Sequence, residues 1–90
     1  MDLKDLRKEI DRIDKELLVV LAERMRLIPS VAEYKKKNNI QRYQPEREKE
    51  VIRLRKEIAS KLNLNQDFIE KIFKVIIEDA HRIEKDIMEK

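Results

Sequence analysis

Apolar residues recur with a helical period over most of the chain. Read at about 100° per residue, Leu3, Leu6, Ile10, Ile13, Leu17, Val20, Ile28 and Val31 form one stripe. This predicts a first helix from about Leu3 to Lys37. Asp2 suits its N-cap, and Asp5 lies in the first turn, where the helix dipole favours a negative charge. Pro29 falls inside it and predicts a kink near Met25 and Arg26. The stripe resumes in phase beyond Pro29, so one bent helix is expected rather than two. Asn38 and Asn39 follow, able to take the left-handed C-terminal conformation that glycine usually supplies.

Pro45 suits a first helical position. A second stripe follows it: Val51, Ile52, Leu54, Ile58, Ala59 and Leu62. Leu62 to Asn65 reads as a short loop. Asn65 then caps a third helix running to about Met88, with Phe68, Ile72, Phe73, Ile76, Ile77, Ala80, Ile83 and Ile87 on one face. The expected fold is all-α: three helices in one domain spanning residues 1–90.

Length adds an expectation about assembly. A helix of about 35 residues is roughly 52 Å long, whereas a compact chain of this size has a diameter of roughly 30 Å. The first helix is too long for its own chain to cover. An intertwined homodimer follows, with the long helices paired and the shorter ones wrapped around the partner.

Charges interrupt the apolar faces. Arg24 falls at the centre of the first stripe, and Lys35 lies on it one turn after Val31. The second stripe, extended backward, passes through Arg47 and Glu48. Glu84 sits inside the third. Burying an unpaired charge costs several kcal/mol, on the order of its lost hydration. Arg24 therefore either forms an internal ion pair, with Glu48 or Glu84, or helps build a pocket for a charged ligand. Three cations and two carboxylates on inner faces favour the pocket. Arginine forks match carboxylates in a two-bond geometry, so the expected ligand is a small, multiply anionic molecule. Arg7, at the edge of its stripe, reads by itself as a surface residue. So does His81, on the border of the third stripe. Arg55 lies on the second stripe with its stem expected to reach solvent.

Composition narrows the chemistry. Charged residues make up 46% of the chain, but 22 basic residues nearly balance 19 acidic ones. The signs alternate along the helices, as on a solvated surface rather than a nucleic-acid footprint. Two tyrosines, Tyr34 and Tyr43, are too few for base stacking. With no cysteine, no glycine and one histidine, thiolate chemistry and glycine-rich phosphate loops are excluded, and a His-based metal site is disfavoured. No apolar run approaches a membrane span, and neither a membrane association nor a signal peptide is expected, so the chain reads as cytoplasmic. No metal or cofactor is called for. Catalysis by positioning and electrostatics stays open, and a pericyclic rearrangement fits because it needs no nucleophile or proton transfer.

The order Leu6-Arg7, Ile10, Asp14, Leu17-Leu18, Leu21-Ala22-Glu23-Arg24, Val31, Lys35, Pro45-Glu46-Arg47-Glu48, Phe73, Ile76-Ile77-Glu78 and Glu84 resembles the all-helical chorismate mutases, the AroQ class. The resemblance covers nearly the whole chain. It implies an intertwined three-helix homodimer that rearranges the dicarboxylate chorismate to prephenate, on the route to phenylalanine and tyrosine. It further implies that Arg24 grips a substrate carboxylate within its own protomer and that Arg7 reaches in from the partner. Arg47 joins the carboxylate-binding set. Lys35 faces the ether oxygen of the breaking bond, Glu48 receives the ring hydroxyl, and Glu84 occupies the other position facing the ether oxygen. Many members have Gln where Glu84 stands, some have Ser where Ala80 stands, and many have Asp where Gln44 stands. Two alternatives accompany this reading: an isochorismate–pyruvate lyase on the same fold, and a non-catalytic helical dimerisation module.

Overall fold

Asp2 opens the first helix as the sequence predicts: its Oδ1 accepts a hydrogen bond from the Asp5 amide at 2.9 Å. The computed structural model describes all 90 residues. Helix α1 spans Leu3–Lys37, α2 Pro45–Lys61 and α3 Gln66–Met88. Asn65 caps α3 through Oδ1, which accepts from the Phe68 amide at 2.9 Å. Gln44 precedes α2 but makes no side-chain cap bond. The proline at the first helical position, which has no amide to satisfy, and the acidic Glu46 and Glu48 carry that terminus instead. Helix α1 continues unbroken through Pro29.

Two asparagines close the helices in place of glycine. Asn39 has φ 55° and Asn63 φ 57°, the left-handed region that Asn tolerates better than other side chains. At the end of α1, the Ile40 amide reaches the Lys35 carbonyl at 2.8 Å. At the end of α2, the Leu64 amide reaches the Ala59 carbonyl at 2.9 Å. Both are Schellman closures, which reverse the chain within a few residues.

Helix α3 packs against both α1 and α2, whereas α1 and α2 do not pack on each other. They face one another only across a cavity beside α3. The molecule measures 55 × 24 × 14 Å with a radius of gyration of 16.4 Å; a compact chain of this length has a radius near 12 Å. Buried apolar residues are few: Ala32, Val51, Ala59 and Ala80, with no large side chain fully enclosed. Leu3, Leu6, Ile10, Ile13, Leu17 and Val20 on α1 are each about half exposed or more. The accessible surface of 7461 Å² exceeds the roughly 5,600 Å² of a typical monomer of this mass by about 1,800 Å². No helix is long and apolar enough to cross a membrane.

Candidate active site

The cavity beside α3 has a volume of about 140 Å³. Arg24, Ile28, Val31 and Lys35 enter it from α1, Arg47, Glu48 and Val51 from α2, and Ile77, Ala80, His81 and Glu84 from α3. Arg42 and Gln44 of the α1–α2 connection complete the lining. The periodicity that aimed charges inward on three separate helices has brought them to one place.

Lys35 and Glu84 form the innermost polar contact. Lys35 Nζ donates to Glu84 Oε1 at 2.8 Å and to the Arg42 carbonyl at 2.9 Å. Their side chains are only 15% and 6% exposed. Burial this deep requires pairing, because either charge alone would lose its hydration uncompensated. An ammonium has three protons to donate, and the protein takes two from Lys35.

Arg24 has no such partner. Its Nη1 is sealed from solvent without a hydrogen bond, alone among the buried side-chain polar atoms. The internal pair with Glu48 or Glu84 that the sequence left open does not form. Partial burial, then the charge of Arg55, then that of Arg47, push the Arg24 pKa below the ordinary arginine value. An anion would offset the burial cost by pairing with the guanidinium and would counter the two like charges. Four cations (Arg24, Lys35, Arg42, Arg47) face two carboxylates (Glu48, Glu84) around the cavity.

Arg47 stands at the rim, largely exposed, with Nη1 on Glu50 Oε1. Gln44 lies exposed beside it, and Ala80 is buried in the wall. Glu48 turns toward α3, where its Oε2 lies 2.8 Å from His81 Nε2. Arg7 is absent from this gathering. It lies 17 residues before Arg24 on the same straight run, about 26 Å along the axis, so no rotamer of Arg7 reaches the cavity of its own chain.

Two expectations need correction, and one residue was missed. His81 is no surface residue: its side chain is 19% exposed, between Glu48 and Arg42, whose Nη1 lies 3.0 Å from His81 Nδ1. Its position three residues before Glu84 was the available signal, since an inward glutamate carries its i−3 neighbour to the same face. Arg55 does not run out to solvent; its guanidinium lies over the Phe73 ring, 5.7 Å from the centroid. Arg42 escaped notice because the connection has no periodicity from which to assign a face.

A larger hollow, about 860 Å³, opens between α2 and α3. Most of its charges pair locally: Glu70 bridges Lys56 and Lys74, and Arg53 pairs with Glu57, while Lys61 is exposed to solvent. The cation with a buried, unsatisfied nitrogen belongs to the smaller cavity, which we take as the site. No group of three or more His, Cys, Asp or Glu gathers anywhere as a metal site.

An all-helical chain with cations converging between its helices belongs to a recognisable class. Residues 6–85 match the family described as Chorismate mutase type II, and the chain belongs to that family. It is 41% identical over 90 residues to the bifunctional chorismate mutase/prephenate dehydratase of Aquifex aeolicus, covering 96% of this chain and 25% of that protein. It is 34% identical over 87 residues to the chorismate mutase of Methanocaldococcus jannaschii, covering 97% of this chain and 88% of that protein. The T-protein of Haemophilus influenzae is 34% identical over 79 residues, covering 88% of this chain and 21% of that protein. The chain thus spans about a quarter of the length of the bifunctional relatives.

Proposed function

We propose that the chain rearranges chorismate to prephenate in this cavity. The observation that carries the reading is Arg24: a guanidinium on an apolar face, with a buried nitrogen that no protein group satisfies. A substrate carboxylate supplies the missing acceptor and offsets the neighbouring positive charges. The rearrangement breaks one C–O bond and makes one C–C bond inside a single molecule, so it draws on no co-reactant. What it asks of a protein is a folded substrate conformer and charge where the ether oxygen becomes negative.

The residues divide that work. Arg24 takes one carboxylate, and Arg47 releases Glu50 to join the anion-binding set. The third proton of Lys35 is directed to the ether oxygen. Glu84 holds Lys35 in place and, when protonated, donates to the same oxygen. Glu48 offers Oε1, which takes no hydrogen bond from the protein, to the ring hydroxyl. Gln44 and Ala80 line the pocket. Arg7 comes from a second copy of the chain, whose long helix lies across the cavity in a homodimer. The excess surface and the uncovered α1 stripe support that assembly. A spectrophotometric assay of chorismate disappearance tests the function directly. Turnover to prephenate is expected; no turnover at micromolar enzyme would overturn it. Salicylate formed from isochorismate would move the assignment to the lyase.

A further inference from the structure

His81 is the one histidine of the chain, and its two ring nitrogens face different groups. Nδ1 lies 3.0 Å from Arg42 Nη1, and Nε2 lies 2.8 Å from Glu48 Oε2. A guanidinium can only donate, so Nδ1 must accept. The ring proton is thereby placed on Nε2, where it donates to Glu48. The opposite tautomer would set two lone pairs against each other at Glu48. It would also point an N–H at Glu84 Oε2, which at 3.5 Å is too distant for a good hydrogen bond. Arg42 is itself anchored, because its carbonyl accepts from Lys35, and the Tyr43 ring flanks the imidazole at 5.9 Å between centroids. The two short contacts, to Arg42 and Glu48, thus favour one orientation and one proton position.

We infer that His81, with its tautomer set by Arg42, is a positioning residue that holds Glu48 as the acceptor for the substrate's ring hydroxyl. The inference rests on the proposed rearrangement of chorismate. A glutamate on the first turn of a helix has several rotamers to lose on binding. Engaging Oε2 fixes the carboxylate before substrate arrives and leaves Oε1 as its open acceptor. The imidazole touches no reacting atom and acts only through Glu48.

Two measurements test this on the 90-residue chain. With one histidine, ¹⁵N-histidine labelling gives a single pair of imidazole signals. Near neutral pH the wild type is expected to show a protonated Nε2 and a bare Nδ1, and Arg42→Ala to relax toward mixed tautomers. A wild-type Nδ1–H form would overturn the inference without any substitution. In chorismate kinetics, His81→Leu is expected to lower kcat/KM by about tenfold, the effect of one lost hydrogen bond to a charged group. His81→Gln keeps an N–H near the place of Nε2 and is expected to return to within about threefold of wild type. Combined with Glu48→Gln, His81→Leu should cost nothing further, because its route of action is already gone. Penalties that multiply, or a glutamine variant as slow as the leucine one, would overturn the inference while wild-type turnover leaves the proposed function standing. Absence of wild-type turnover would overturn both.

Discussion

Lys35 and Glu84 meet at 2.8 Å across the α1–α3 junction, the most enclosed ion pair in the chain. The pair places a carboxylate beside the position proposed for the ether oxygen, where developing negative charge meets like charge. Glu84 helps there only as the protonated acid, which donates where the carboxylate accepts. A neutral donor at that position is therefore expected to serve the reaction better than the carboxylate that pairs with Lys35. Glu84→Gln provides a permanent donor of similar shape and is expected to raise kcat/KM. It also removes the charge that balances Lys35, so the melting temperature should drop by several degrees, about the effect of 1 kcal/mol in a domain this small. A glutamine variant slower than wild type would make the pair purely structural.

Arg24 gives the sharpest test of the cavity. Arg24→Ala removes a cation that the folded protein does not pair, so the fold should survive, and relief of repulsion with Arg47 and Arg55 should offset part of the lost packing. Catalysis should fall by at least about 100-fold, roughly 3 kcal/mol of transition-state stabilisation. The measurements are kcat/KM beside a thermal melt. Near-full activity, or collapse of the fold, would return Arg24 to a structural role.

The surface excess of about 1,800 Å² leads to a third expectation. Sedimentation at micromolar concentration should report about twice the 11.0 kDa chain mass, and melting should shift upward with concentration, because association and folding then share one equilibrium. Leu6→Lys, Ile10→Lys or Leu17→Glu should weaken the assembly while leaving each helix's local caps intact. A folded, concentration-independent monomer would end the shared-site proposal.

Acid should loosen the α2–α3 pairing through Glu70. Hydrogen bonds from Lys56 and then Lys74 lower its pKa below the ordinary 4.5. In the unfolded chain those bonds are gone and the group takes its proton at higher pH. The contribution is therefore full above 4.5 and is lost as pH falls through the lower native value. The stability difference between wild type and Glu70→Gln should be present near neutrality, small because the bridge is exposed to solvent, and should vanish in strong acid. A difference independent of pH would show that Glu70 acts by packing alone.

The helix ends were legible because their causes are local. Asp2, Asn65 and Pro45 act on amides within one turn, and Asn39 takes the backbone conformation proposed for it. The inward charges were legible because a periodic face can be computed without knowing what lies opposite. Their partners were not: Lys35 and Glu84 stand 49 residues apart, and nothing in either helix says that they meet while Arg24 goes unpaired. Arg42 was hidden for a different reason. It sits in a connection whose path is set by the Schellman closure at Asn39 and by the start of α2, and its side chain has meaning only once that path is known.

The separation of Arg7 from Arg24 along α1 has a genetic consequence. A protomer would complete its neighbour's site and not its own. Chains carrying Arg7→Ala or Arg24→Ala alone are expected to be inactive separately and to recover activity when exchanged, since one site of each mixed dimer keeps both arginines. A chain carrying both substitutions behaves in the opposite way. Paired with a wild-type chain, it spoils both sites at once, so equal mixing should leave about a quarter of full activity instead of half. Such an allele would be dominant over a healthy copy, poisoning it through the same helix that would join the two.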